Sequence, residues 1–188
     1  MNSKNKWNIK HTSRINQIER LVPNERLKRH AHHLKGGMAL DLACGLGMNS
    51  FYLAKLQYEV HALDISDVAI QYMKEQTTKY LLPLYPRLCD LTEWKKLDIA
   101  ENTYDLVVMT YYLDRSIFPF VKSVIKESGY FFMETFYRSP LHVNQGISND
   151  YKLQPKELLS IFDRWNIHYF EEHEEEGRQT ILCQKRTI

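Results

Sequence analysis

The sequence predicts an α/β fold: a doubly wound, mostly parallel sheet of seven strands, with helices on both faces and an antiparallel hairpin at the C-terminal end. Three observations predict it. From residue 38 onward, short apolar runs alternate with stretches of helical periodicity. A glycine turn, Gly45-Leu46-Gly47, joins the first run to the first helical stretch. Near the end, residues 167–174 and 180–185 form two extended runs with no helix between them, which antiparallel strands alone allow.

The elements follow in order. The first third is helical in pattern, with Ile15, Ile18, Leu21 and Leu27 at near-helical spacing. Pro23-Asn24 interrupts them and starts a second helix running to about Leu34, which Gly36-Gly37 ends. Residues 38–43 are a short apolar run bounded by glycines, as a buried parallel strand requires. A helix is expected over 49–56, and a second strand over 58–65 (YEVHALDI). Ser66 is placed to cap a helix over 67–78. Residues 84–89, 104–111 (YDLVVMTY) and 129–136 (GYFFMETF) read as the third, fourth and fifth strands, with a helix over 116–127. Residues 138–151 are polar and irregular, and 155–165 form a helix before the hairpin.

Size and composition narrow the function. The 188 residues suit one structural domain, and an apolar content of 44% is ordinary for a globular chain. Two parts are expected within it: a helical segment over 1–37 and the strand-containing body over 38–188. No apolar run reaches the roughly 20 residues that span a bilayer, and residues 1–10 are polar and basic, unlike a signal peptide. The three cysteines, Cys44, Cys89 and Cys183, form no Cys-x-x-Cys pair and read as buried, reduced thiols of a cytoplasmic protein. The net charge of +2 hides an asymmetry: residues 1–37 carry nine Lys/Arg against two Glu, leaving −5 for the rest. His30, His32 and His33 crowd together, but helical spacing puts them on different faces, so no metal is expected.

The glycine turn carries the chemistry. Glycine permits a tight turn and close approach of a ligand to the backbone, and the helix beyond offers free N–H groups. Dinucleotide sites use the same device with a third glycine, but here Ser50 stands in that place. Asp41 lies four residues before Gly45. A carboxylate there repels a pyrophosphate and suits a ligand carrying a sulfonium and an ammonium. Asp64 ends the second strand nineteen residues beyond Gly45, where an acid accepts hydrogen bonds from ribose hydroxyls. Ile65 can pack on an adenine, and Asp90 after the third strand can accept its amino group.

Asp41-Leu42-Ala43-Cys44-Gly45-Leu46-Gly47 with Asp64-Ile65-Ser66 resembles motifs I and II of class I S-adenosylmethionine-dependent methyltransferases. The wider stretch from Ala39 through Ile70, followed by "METF" and "LQPKELLSIF", resembles the tellurite-resistance (TehB-type) small-molecule branch over roughly residues 38–165. That resemblance implies a Rossmann-like fold and S-adenosyl-L-methionine as cofactor, with S-adenosyl-L-homocysteine as product. It implies a cofactor set of Asp41, Ala43, Gly45, Gly47, Asn49, Asp64, Ile65, Asp90, Leu91 and Thr110. It also implies that the N-terminal segment closes the site, with Trp7 and His11 folding over the cofactor and counted with the residues that face the substrate. Near the final hairpin the branch carries a Gly-Glu-Leu-His-Arg-like stretch. This chain reads Glu174-Glu175-Glu176-Gly177-Arg178-Gln179, where only Arg178 matches, which puts methylation of a chalcogen oxyanion in doubt.

Methyl transfer is an in-line displacement, so the enzyme chiefly aligns the reactants and excludes water. No fixed base is demanded, and the catalytic candidates are Tyr111, Tyr137 and Arg138. Tyr111, Tyr112, Phe136 and Tyr137 would wall an aromatic acceptor pocket, with Arg138 as a hook for an anionic acceptor and the 138–151 loop as a lid. The fourth strand leads into Thr110-Tyr111-Tyr112-Leu113, not the Asn/Asp-Pro-Pro-Tyr of exocyclic-amine nucleic-acid methyltransferases, and no Pro-Cys nucleophile is present. A small-molecule acceptor is therefore favoured, with neither nucleic acid nor membrane as partner, in a monomer or homodimer. The alternatives are an RNA or protein methyltransferase using the basic segment, and a protein that binds S-adenosylmethionine without catalysis.

Overall fold

Apolar runs with no polar face can only be strands covered on both sides, and they become the centre of the sheet. A computed structural model describes residues 2–16, 22–141 and 146–187. Ile18 and Leu21 of the N-terminal helical pattern lie outside the described residues, as do residues 142–145 of the polar loop. The seven strands are β1 (Gly37–Leu42), β2 (Tyr58–Asp64), β3 (Leu84–Leu88), β4 (Tyr104–Thr110), β5 (Ile125–Phe136), β6 (Asn166–His173) and β7 (Arg178–Gln184), in the sheet order β3-β2-β1-β4-β5-β7-β6. Among the described residues six α-helices accompany them: α1 (Ser3–Asn16), α2 (Glu25–Arg29), α3 (Met48–Lys55), α4 (Asp67–Tyr80), α5 (Phe118–Val124) and α6 (Glu157–Ile161). The expected mixed α/β sheet with antiparallel C-terminal strands is therefore present. The chain divides into two compact units, Met1–Leu97 and Asp98–Ile188.

In the first unit β1, β2 and β3 run parallel, with Asp41 opposite Ala62 and Asp64 opposite Leu88. Ala39, Leu40, Leu42, Val60 and Ala62 are fully buried. Pro86 sits in β3, which ends the sheet order, where a missing N–H costs no ladder bond. Ser66 caps α4 as expected, its Oγ accepting from the Ala69 N–H. α1 packs on α4 through polar contacts: Lys4 pairs with Asp67 at 2.7 Å, Asn8 donates to Asp67, and the Ser66 hydroxyl donates to Asn8.

In the second unit β4 and β5 are parallel, and β5, β7 and β6 are antiparallel, so residues 166–184 form the predicted hairpin. Leu106, Val107, Val108, Met109, Phe131, Phe132 and Met133 are fully buried, which explains why β4 and β5 read as continuous apolar runs. At the other end of the sheet order, β6 carries Glu171 and Glu172, charges that discourage edge pairing with another chain.

Three predicted helices are shorter than expected. The second ends at Arg29, and His30 closes it while opening a 3-10 turn over Ala31–His33. The helix expected over 116–127 is a 3-10 turn over Arg115–Ile117 followed by α5, because Ile125 already pairs with Tyr104 and begins β5. The helix expected over 155–165 shrinks to α6, since Lys156 takes a left-handed φ of 57° just before it. Of the cysteines, only Cys183 is buried; Cys44 and Cys89 are half-buried.

Candidate functional site

The first candidate site is built on the turn after β1. Ala43, Gly45 and Gly47 all hold positive φ (55°, 54° and 80°), and the Gly47 N–H closes the turn on the Cys44 carbonyl at 2.9 Å. Glycine is favoured at two of these positions. A Cβ on Gly47 would lie 2.4 Å from the end of the Met73 side chain, and one on Gly45 would lie 3.1 Å from the His11 ring. Gly47 caps α3 without a side chain of its own.

Two acids frame the turn. Asp64 is 6% exposed and accepts from the Gly45 N–H and the Ser66 N–H, each at 2.8 Å. It ties the end of β2 to the glycine turn, and each oxygen keeps a further lone pair. Asp41 is 1% exposed. Its Oδ2 accepts from the Ser50 hydroxyl at 2.6 Å, while Oδ1 is buried with no hydrogen-bond partner. Burial pushes the Asp41 carboxyl up to about 7; the Ser50 hydrogen bond opposes the rise and the Asp64 charge adds to it.

Helix α1 brings two more predicted residues to this unit. Trp7 and His11 lie one turn apart with their rings stacked at 5.8 Å, so this stretch is an ordered helix. His11 is buried against Gly45, its Nδ1 without a partner. Burial lowers its pKa, opposed by the Asp64 charge. Beside the turn, Ile65, Leu88, Cys89 and Asp90 line a cleft of about 550 Å³ that Asn2, Ser3 and Lys4 of the N-terminal segment also border. One oxygen of Asp90 is spent on the N–H and hydroxyl of Thr92, where it caps a 3-10 turn. Asn49 is buried, its side-chain oxygen accepting from the Asn24 N–H, and Leu91 is buried in the same unit.

The second candidate site lies in the unit Asp98–Ile188, around the ends of β4 and β5. Thr110 ends β4, and Tyr111 follows with a φ of 57°. Its hydroxyl donates to Glu134 Oε1 at 2.7 Å, and Thr180 donates to Oε2 at 2.9 Å. Arg178 donates to the Tyr111 hydroxyl at 3.0 Å, stands over the Tyr111 ring at 5.1 Å and lies 3.6 Å from Glu134. Phe136 packs on Tyr111 with ring centres 5.8 Å apart.

Residues 24–181 match the family model described as tellurite resistance protein TehB. The chain belongs to the TehB family. Probable S-adenosyl-L-methionine-dependent methyltransferases TehB from two strains of Haemophilus influenzae are 35% and 37% identical over 91 and 90 residues. Those alignments cover 47% and 46% of this chain and only 30% and 29% of the relatives. Among solved structures, TehB from Haemophilus influenzae superposes with a TM-score of 0.76 at 21% identity, over 94% of this chain and 67% of that one. A SAM-dependent methyltransferase from Aquifex aeolicus gives 0.66 at 17% identity, over 90% and 97%. Both likenesses show the shared Rossmann-like fold.

Within this TehB-family chain, the structure separates residues that the sequence had grouped. Tyr137 is 1% exposed, whereas Tyr111 is 43% exposed and Phe136 half-buried. Phe136 and Tyr137 are consecutive, so their side chains leave the backbone on opposite sides, and the four aromatics do not form one wall. Burial pushes the Tyr137 hydroxyl up. Arg138 is exposed, and the arginine standing over Tyr111 is Arg178. Tyr112 is half-buried. Sequence reasoning missed Ser50 as the partner of Asp41, Met73 beneath Gly47, and Glu134. The signal for Glu134 was present: it is the one acid in the apolar run GYFFMETF. The three histidines expected on different helix faces converge, since helix α2 ends before them.

Proposed function

We propose that this chain is an S-adenosyl-L-methionine-dependent methyltransferase acting on a small molecule. The observation that carries the reading is the pair of acids at the glycine turn, one of them holding a buried oxygen with nothing to bond. A carboxylate oxygen in that position costs stability unless a cationic donor meets it, and the ammonium of the methionine moiety is such a donor. Asp64 would take the ribose hydroxyls on its remaining lone pairs, and Ile65, Leu88 and Asp90 would hold the adenine in their cleft. Ala43, Gly45, Gly47 and Asn49 would shape the turn around the ligand, with Leu91 beside them; Thr110 ends β4 in the other unit. The bound cofactor supplies the methyl group.

The chain's own residues have three tasks: to hold the donor, to orient the acceptor and to keep water out. Segment 1–37 would close the cofactor cleft, with His11 over Gly45 and Trp7 stacked upon it. Tyr111, Phe136 and Arg178 would receive the acceptor, the rings by stacking and the guanidinium by pairing with an anionic group. Three free cysteines support a cytoplasmic site of action. Among the described residues no helix is long and apolar enough to cross a membrane.

Calorimetry with S-adenosylhomocysteine tests the cofactor site. Asp64→Ala should remove measurable binding, and Asp64→Asn, which keeps the shape, should weaken it at least about tenfold by losing a charge-assisted hydrogen bond. Unchanged affinity in both would sink the placement of the ribose. Methyl transfer to candidate acceptors should fall in Arg178→Ala with cofactor affinity retained.

A further inference from the structure

We infer that His30, His32 and His33 form a binding site for one imidazole-preferring divalent transition-metal ion, with Zn²⁺ and Co²⁺ as the probes. The site arises where α2 stops. His30 is at once the C-terminal cap of α2 and the N-terminal cap of the 3-10 turn Ala31–His33. A 3-10 turn has three residues per turn, so positions i and i+3 eclipse, which sets His30 and His33 on one side. Their rings are stacked with centres 6.4 Å apart, and His32 lies between at 6.0 Å from His30 and 4.2 Å from His33. One ring nitrogen from each histidine lies within 4.8 Å of the others. A tetrahedral zinc with bonds of about 2.0–2.1 Å sets its ligand nitrogens about 3.4 Å apart. The nitrogens therefore need to close by little more than an ångström.

The donor set decides the metal. Three imidazoles, with no carboxylate grouped with them among the described residues, suit Zn²⁺, Co²⁺, Ni²⁺ or Cu²⁺ and do not suit Mg²⁺ or Ca²⁺, which take oxygen ligands. Three protein ligands leave a fourth position for water. His32 is exposed and the other two are half-buried, so an ion can reach the site from solvent. Lys28, Arg29 and Lys35 flank the site in sequence, and positive charge near the site opposes binding of a cation. A bound ion would fix the link from α2 to β1, the strand that carries Asp41. The proposal does not depend on the methyltransferase reading.

The test uses the full chain free of any histidine tag. Calorimetry with Zn²⁺ should show one site that neither Mg²⁺ nor Ca²⁺ occupies, and Co²⁺ should give visible d–d absorption. His32→Ala and His33→Ala should each weaken binding by at least about tenfold, the loss expected when a three-ligand site keeps two. Circular dichroism without metal should match the parent for His32→Ala, whose side chain is exposed. Absence of binding would overturn the proposal. So would affinity unchanged in both variants, since the ion would then sit elsewhere, for instance on Cys44, Cys89 or the hairpin histidines.

Discussion

Asp41 and Glu134 are both buried acids at strands of one sheet, 1% and 0% exposed, and their surroundings differ completely. Glu134 has a hydroxyl donor on each oxygen and Arg178 at 3.6 Å, so its charge is met by the chain itself. Asp41 has Ser50 on one oxygen and nothing on the other. A buried carboxylate met on both sides is satisfied by the chain itself; one met on a single side leaves an oxygen that, in the proposed reading, a ligand would complete. The difference separates a residue that holds a fold together from one that costs stability until something binds.

The largest effect that can break this comparison comes from Asp41→Asn. The folded-state pKa of Asp41 is raised from 3.8 to about 7, so between those values the folded chain binds more protons than the unfolded one. Stability contributed by this group is therefore greatest below the unfolded value, declines as pH rises toward 7 and is flat above. At pH 8 the cost is at most about 4 kcal/mol, from about 1.36 kcal/mol per pKa unit. Asp41→Asn should raise the melting midpoint at pH 8, flatten the slope between pH 4 and 7, and weaken S-adenosylhomocysteine by about a hundredfold or more. The parent's affinity for that ligand should rise with pH through 7 as Asp41 gains its charge. A lowered midpoint in Asp41→Asn would refute the contrast.

Glu134→Gln should act in the opposite direction, costing about 1–3 kcal/mol in denaturant unfolding by weakening charge-assisted bonds. If both amides shift stability the same way, the two acids are not different in kind. Gly47→Ala sharpens the geometry of the turn. It forces alanine to a φ of 80° and crowds the flexible end of Met73, for an expected loss of about 1–2 kcal/mol. The smallest effect is Lys4→Ala at the surface contact between α1 and α4, which should change the melting midpoint only at low salt.

The strands and the glycine turn were legible because both are local. Residues 106–109 are apolar throughout since both faces are covered, and Asp41, Gly45, Gly47 and Asp64 sit at spacings that strand and turn geometry dictate. What escaped is decided by contacts distant in sequence. Glu134 meets Thr180 across 46 residues, and Arg178 meets Tyr111 across 67. Nothing near Arg138 marks it as exposed while Arg178 stands over the tyrosine. The end of α5 is set by Ile125 pairing with Tyr104, which overrides a helical pattern running on through 127. The histidine cluster was missed for a local reason: a helix one turn too long sends the three rings apart.

The three thiols make the chain its own fluorimeter. Cys183 is sealed in β7, with burial pushing its thiol far up, and Cys44 is pushed well up beneath the glycine turn. Cys89 is half-buried at the rim of the cleft, its rise through burial partly offset by Arg87. A thiol-reactive dye in limiting amount should therefore mark Cys89 first, at the doorway through which an adenine would enter. The rate of that labelling, followed as ligand is added, turns occupancy of the cleft into a colour change without any engineered residue.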